Sequence, residues 1–318
     1  MDIIKNNRLS IAQRMNVSDI SELEIFPKFF EIETIRACNA RCSFCSIKDW
    51  RNMGRVVMSD ELFDKFCGEI SEFSGWINTV CLNRDGEPTL DKKIAERVRS
   101  VKEIGIKKVT LSTNAELLNE KLAGELIGAG LDDIMISLDG FTKEVYESIR
   151  TGLDFETVVN NTINLFKLRD AAKSSMSIRV RMVIIDSNKH EVDEWMKFWT
   201  KYAGAEDRVY AMPAHNWGNQ VNISGAGEAR LNGSACIFPF SSMAVHVNGE
   251  VGLCNADYNA TVNMGDISRN SIKEIWNGGE YKKIREIHLE GSKDSLKLCN
   301  GCAIWDRTYL ESANHANQ

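Results

Sequence analysis

The chain alternates between two kinds of hydrophobic pattern. Phe29 to Arg36 (FFEIETIR) switches apolar and polar at every step and is rich in β-forming residues, which predicts a strand. Ser59-Asp60-Glu61 then predicts a helix start, with Leu62, Phe63 and Phe66 supplying an apolar face. The alternation repeats. Strands are predicted at Trp76 to Leu82, Lys108 to Leu111, Ile134 to Leu138, Ser177 to Ile185 and Arg208 to Met212. Helices are predicted at Lys92 to Lys102, Leu117 to Ile127, Phe155 to Leu168 and His190 to Tyr202, the second closed by Gly128 and Gly130. Strands alternating with helices imply parallel pairing through right-handed crossovers. The predicted class is therefore α/β, a partial, open (β/α)6 barrel of the TIM type. In such barrels active sites gather at the C-terminal ends of the strands.

The pattern changes at both ends. Residues 1–28 are polar and mixed, an extension with some helical character, and the barrel is placed at 29–225. The stretch from Asn216 to Gly233 is rich in Asn, Gly and Ser and reads as a linker or a loop over the site. Met243 to Val247 and Val251 to Cys254 then flank Asn248-Gly249, a strong hairpin signal. Ser271-Ile272-Lys273-Glu274 resembles a capping box opening a helix. A small α+β unit, hairpin plus helix, is therefore placed at 226–318, with no internal repeat beyond the βα alternation.

Composition narrows the class. An apolar fraction of 43% suits a globular core, and no apolar run approaches a membrane span. The N-terminus has no signal-peptide core, so the cytoplasm is the expected compartment. A net charge of -6 with scattered basic residues argues against nucleic-acid or membrane partners. The 9 cysteines change the picture most, because clustered cysteines in a reducing compartment point to metal or redox chemistry. Cys38, Cys42 and Cys45 form one group, and Cys236, Cys254, Cys299 and Cys302 a second. Cys67, on a helix, and Cys81, in a buried-looking strand, read as core residues.

The first group directly follows the first strand, at the expected mouth of the barrel. Thiolates are the soft ligands that hold iron–sulfur clusters. Three in one loop can hold three irons of a cubane and leave the fourth open. The other reading is a chance loop or a zinc half-site, but zinc wants a further thiolate or His nearby, and the nearest His in sequence is His190.

The run CNARCSFC, with Phe44 before the last cysteine, resembles the radical S-adenosylmethionine superfamily. The resemblance implies a catalytic 4Fe–4S cluster whose open iron is chelated by S-adenosylmethionine. It also implies reductive cleavage to a 5′-deoxyadenosyl radical that takes hydrogen from a substrate. Further motifs follow the family order. Asp85-Gly86-Glu87-Pro88 resembles the family's Gly-Gly-Glu-Pro, which meets the cofactor's amino group; Asp85 replaces the first glycine and puts the local backbone in question, while Glu87 stands. Thr113-Asn114 resembles the start of Thr-Asn-Gly, with Ala115 where the glycine would be. Ser137-Leu138-Asp139-Gly140 and Arg150 complete the set of expected cofactor contacts. Plain turn or capping roles remain open for each. Arg179 and Arg181 share one strand face and would contact cofactor or substrate if that face points inward. His215-Asn216-Trp217 lines the substrate cavity or is a plain loop.

The second group resembles the C-terminal SPASM domain in its shorter one-cluster form, twitch. This implies one auxiliary 4Fe–4S cluster held by Cys236, Cys254, Cys299 and Cys302; a structural zinc site has the same ligand count. The spacing resembles that of one-auxiliary-cluster dehydrogenases such as 2-deoxy-scyllo-inosamine dehydrogenase. By that analogy a small sugar, aminocyclitol or nucleotide sugar is oxidised at a hydroxyl-bearing carbon, with the auxiliary cluster as electron acceptor. An external donor such as flavodoxin or ferredoxin supplies the first electron. Peptide maturation, sugar epimerisation or deamination, and a non-enzymatic metal protein are the alternatives. The catalytic base is not named by the sequence.

Overall fold

In the computed structural model, residues 2–47, 56–218, 220, 221, 223, 233–302 and 304 are described. The six expected strands are present: β1 (Phe29–Ile32), β2 (Thr79–Cys81), β3 (Lys108–Thr113), β4 (Asp133–Ser137), β5 (Ser177–Ile184) and β6 (Arg208–Pro213). All pair in parallel, in the order β6-β5-β4-β3-β2-β1. Helix α1 (Ile3–Met15) precedes the sheet. Helices α2 (Asp60–Ser71), α3 (Ile94–Glu103), α4 (Glu120–Gly128), α5 (Lys143–Ile149), α6 (Phe155–Ala171) and α7 (Val192–Trp199) lie between successive strands.

Local chemistry explains where the helices begin. Ser59, Asn119 and Asp154 each accept a backbone N–H of the first turn of α2, α4 and α6. Each such cap is worth about 1 kcal/mol. Helix α5 was not expected; its seven residues are too short for a clear period. The strand read as Phe29 to Arg36 breaks after Ile32, because Glu33 turns to bond Arg36 and the Val247 N–H. Trp76 sits before β2, with its indole N–H on the Phe26 carbonyl.

The sheet has two chemically different faces. On β5, Ile178, Val180 and Met182 are fully buried against the helical layer with Leu165, Trp195 and Trp199. Burying a side chain of that size stabilises by roughly 1.5–3 kcal/mol. The alternate residues Ser177, Arg179 and Arg181 are only half-buried and face the other way. Glu31, Cys81, Met135 and Tyr210 continue that half-polar inner wall. Cys81 thus belongs to the inner wall, while Cys67 on α2 packs against the core as expected.

The C-terminal hairpin continues the same sheet. Strand β7 (Ser242–Val245) pairs in parallel with β1, and β8 (Glu250–Gly252) and β9 (Asn263–Asp266) follow antiparallel. Gly249 in the turn has φ +94°, the conformation that the Asn-Gly signal predicts. Helices α8 (Ile272–Trp276), with its Ser271/Glu274 capping box, and α9 (Gly279–Leu289) pack behind. Helix α1 is fastened to this end by Asn7, whose amide donates to the carbonyls of Gly233, His288 and Leu289 and accepts from the Ala235 N–H. Most of the Asn216–Gly233 stretch lies outside the described residues.

Candidate active site and auxiliary cysteine site

Cys38, Cys42 and Cys45 share the loop after β1. Each thiol is raised by burial first, Cys38 and Cys45 to about 12, and neighbouring thiols add to the effect at Cys45. Thiols raised in this way stay protonated at neutral pH; as thiolate ligands they would need a cation such as iron to displace their protons. Cys42 lies in a short bridge in which it pairs with Arg150. The Arg150 Nη1 sits 3.7 Å from the Cys42 Sγ, and Phe44 lies under the same guanidinium at 6.0 Å.

The turn after β2 is built against this loop. A Cβ on Gly86 would lie 2.1 Å from the Ile35 carbonyl oxygen and 2.8 Å from that of Ala37, so only glycine fits. The Glu87 N–H then bonds Ala37 at 2.8 Å, which places Glu87 beside the cysteine loop. Asp85 does not enter the left-handed region, so replacing the family's first glycine costs no backbone strain.

Glu87 organises the ends of two strands. Its Oε1 accepts from the Thr89 N–H, the Thr89 hydroxyl and the Thr113 hydroxyl (2.6 Å), and its Oε2 from the Asn114 N–H (2.8 Å). Burial raises the carboxyl, and these donors oppose it. Oε2 retains acceptor capacity for a further donor. Asn114 reaches Asn39 at 2.8 Å, tying β3 to the cysteine loop. Ala115 takes φ +63°, so the backbone keeps the left-handed turn that the family's glycine would make.

Two of the expected contacts, Asp139 and Arg150, bond each other. Asp139, fully buried, accepts from Arg150 at 2.7 Å and from the Val183 N–H at 2.7 Å. Arg150 is thereby paired with Asp139 and Cys42. Ser137 accepts from Arg181 at 3.2 Å. The inner arginines differ. Arg179 is paired with Asp133, whereas Arg181 has no carboxylate partner among the described residues, and its buried Nε is unpartnered. His215 lies near Arg181, held down to about 4 by burial and by that charge, and stacks edge-on against Trp217 at 4.6 Å. An orphaned guanidinium donor on the inner wall fits an anionic group such as a carboxylate.

Cys236, Cys254, Cys299 and Cys302 line one cavity of about 230 Å³. The Cys299–Cys302 turn closes through a 3.1 Å backbone bond, with Gly301 at φ +68°. Burial raises all four thiols. Asp257 shapes the Cys254 loop by accepting from Leu253, Thr261 and Val262. Four thiolates gathered on one cavity provide the ligand set of an iron–sulfur cluster.

Residues the sequence reading passed over join the two sites through Asp85. Glu33, Arg36, Arg84, Asp85 and His246 form a buried ionic network. Donor atoms of Glu33, Asp85 and His246 lie within 4.8 Å of one another. Both guanidinium groups reach the His246 Nδ1, while the His246 Nε2 is buried without a partner among the described residues. The only sequence signal was a charged pair, Arg84-Asp85, at the end of an apolar strand.

The comparisons agree with this geometry. The radical SAM superfamily model matches residues 32–198, and the iron-sulfur cluster-binding domain SPASM matches residues 236–303. The chain belongs to the radical SAM superfamily and carries a C-terminal SPASM domain. It is therefore a radical SAM enzyme, using a 4Fe–4S cluster and S-adenosylmethionine with auxiliary iron–sulfur binding at its C-terminal end. A probable GTP 3′,8-cyclase of Sulfolobus acidocaldarius is 31% identical over 174 residues, covering 53% of this chain and 52% of the relative. An uncharacterized protein of Methanocaldococcus jannaschii is 35% identical over 132 residues, 41% of each chain. The chain thus spans about half the length, or less, of the curated relatives it matches. Among solved structures, BtrN in complex with AdoMet and 2-DOIA matches with TM-score 0.59 and 18% identity, over 86% of this chain and 92% of that one. Streptococcus suis SuiB bound to precursor peptide SuiA matches with TM-score 0.66 and 15% identity, over 93% and 75%. At these identities the likeness establishes the fold. No helix among the described residues is long and apolar enough to cross a membrane.

Proposed function

We propose that this enzyme oxidises a hydroxyl-bearing carbon of a small polar molecule, a sugar, aminocyclitol or nucleotide sugar, to a ketone. The observation that carries the reading is the cavity lined by all four C-terminal cysteines. A four-thiolate cluster has no open iron, which favours electron transfer over substrate ligation. We assign Cys38, Cys42 and Cys45 to the catalytic cluster, Cys236, Cys254, Cys299 and Cys302 to the auxiliary one, and residues 226–318 to the auxiliary unit. The cytoplasm suits both sets of reduced thiols.

When bound, the two clusters and S-adenosylmethionine supply a hydrogen-abstracting radical and an electron acceptor. The chain supplies position and proton transfer. Glu87 and the Asn39–Asn114 pair fix the cofactor side. Arg181 offers an unsatisfied guanidinium to a cofactor or substrate anion. Glu31 lines an inner cavity of about 450 Å³ with Cys81 and Thr79. Its carboxyl has no hydrogen-bond partner among the described residues, and burial pushes it up to about 7 despite the pull of Arg84. A carboxylate poised there suits the base that takes the hydroxyl proton. The substrate would lose one hydrogen atom from carbon, one proton to Glu31 and one electron to the auxiliary site, which balances a two-electron oxidation.

The test is anaerobic turnover of the reconstituted full chain with candidate polyols. A product lighter by two hydrogens, formed with 5′-deoxyadenosine, supports the reading; a product of unchanged mass points to epimerisation. Cys42→Ala should abolish 5′-deoxyadenosine, while Cys299→Ala should keep cleavage and lose product. The likeness to SuiB supports a second reading, modification of a peptide, which a precursor-peptide pull-down would bring forward.

A further inference from the structure

The auxiliary cavity holds two groups that are not cysteines. His288 and Lys293 line it, with 1% and 6% of their surfaces exposed. Both sit where α9 ends, on a segment that Asn7 of α1 holds through the His288 carbonyl.

The imidazole's tautomer follows from its partners. The backbone N–H of Cys236 donates to Nδ1 at 3.1 Å. A backbone amide can only donate, so this Nδ1 is the acceptor and the ring proton sits on Nε2. That Nε2 lies 3.7 Å from the Cys299 Sγ, within reach of an N–H···S bond. A ring so arranged donates to a thiolate and is not free to become a ligand itself.

Lys293 brings a positive charge to the same cavity. No carboxylate pairs with its ammonium among the described residues, although Lys293 is buried. Its charge acts on Cys236, Cys299 and Cys302. An ammonium so placed is complementary to an iron–sulfur cluster, which with four thiolates carries net negative charge.

We propose that His288 and Lys293 are the hydrogen-bond donor and counter-charge of the auxiliary cluster and raise its reduction potential. Reduction adds negative charge, so a donor on one ligand sulfur and a nearby ammonium both favour the reduced form. The proposal rests on the assignment of the auxiliary cluster to the four C-terminal cysteines.

The full chain carrying Cys38→Ala, Cys42→Ala and Cys45→Ala isolates the auxiliary site. After anaerobic reconstitution, iron, sulfide and zinc are counted, and the cluster is titrated by EPR-monitored potentiometry. The expected background is about four irons and four sulfides. On it, His288→Phe and Lys293→Met should each shift the potential to more negative values. His288→Gln, which keeps an N–H donor, and Lys293→Arg, which keeps the charge, should stay nearer the parent. Unchanged potentials in the Phe and Met forms, with iron retained, overturn the proposal. Should His288→Phe fail to hold iron, Lys293→Met and Lys293→Arg decide by the same comparison. A background that binds zinc and no iron overturns the cluster assignment itself, a separate result from an unchanged potential.

Discussion

Arg84 and Cys254 are joined directly: the Arg84 Nη2 donates to the Cys254 carbonyl at 2.8 Å and to the Asp257 carbonyl at 2.6 Å. The same side chain pairs with Asp85, at the start of the turn that carries Glu87. One buried cation therefore fixes the auxiliary loop against the catalytic turn. Removing one partner of a buried pair leaves the other charge uncompensated, at a cost of about 3–5 kcal/mol. Arg84→Met should lower thermal stability by that order and reduce iron at the auxiliary site, read by calorimetry and iron per chain. An iron content equal to the parent would remove the link between Arg84 and the Cys254 loop.

Gly86 is a steric requirement. A Cβ there meets the Ile35 carbonyl at 2.1 Å, and backbone cannot yield as a flexible side chain can. Gly86→Ala should cost roughly 1–3 kcal/mol by overpacking. It should also displace Glu87 and sharply reduce 5′-deoxyadenosine formation. Isothermal titration with S-adenosylmethionine would show the loss as weakened binding.

Ala115 provides the opposite case. Its left-handed backbone, φ +63°, costs about 1–2 kcal/mol relative to glycine, while its buried methyl returns about 0.8 kcal/mol. Ala115→Gly should therefore change stability by about 1 kcal/mol or less. Ala115→Val should be clearly destabilising, because a β-branched residue tolerates that conformation poorly. Denaturant midpoints of the two variants separate these outcomes.

Glu31 gives a pH signature. With its carboxyl at about 7, the base form grows as pH rises through that value, so product formation should rise with it. Glu31→Gln should abolish product and its pH dependence yet leave cleavage of S-adenosylmethionine intact. Product formed by Glu31→Gln at the parent rate would assign the proton to another group.

Asp207 should govern acid stability far from the clusters. It accepts two parallel bonds from Arg169, both at 2.8 Å, and the backbone N–H groups of Ile178 and Gly204. Burial works to raise its carboxyl, but Arg169 and these amides hold it below the usual range. A depressed folded value adds stability above the unfolded pKa of about 3.9, lost as pH falls through the folded value. Asp207→Asn should cost roughly 3 kcal/mol at neutral pH and flatten the stability curve below about pH 4. Urea unfolding at several pH values checks both.

Much of this was legible in the chain. Strand–helix alternation, the caps at Ser59 and Ser271, the Asn248-Gly249 turn and both cysteine groups are local signals, read from neighbours in sequence. They determined the open parallel barrel, the hairpin and the radical SAM and SPASM character of the chain. The short helix Lys143–Ile149 and the break after Ile32 were not legible, because too few residues expressed a period there.

What only the tertiary structure decided is which polar group meets which. Asp139 and Arg150 bond each other, because β4 and the Cys42–Arg150 bridge bring them together. Arg179 and Arg181 are equivalent in sequence, but Asp133, opposite Ser177 in the register, is within side-chain reach of only the first. The parallel pairing of β7 with β1 places Cys254 over Arg84, and the packing of α1 on α9 sets His288 beside Cys299. Periodicity encodes which face of an element is buried. Partners far apart in sequence are fixed by strand register and helix packing, which no local pattern records.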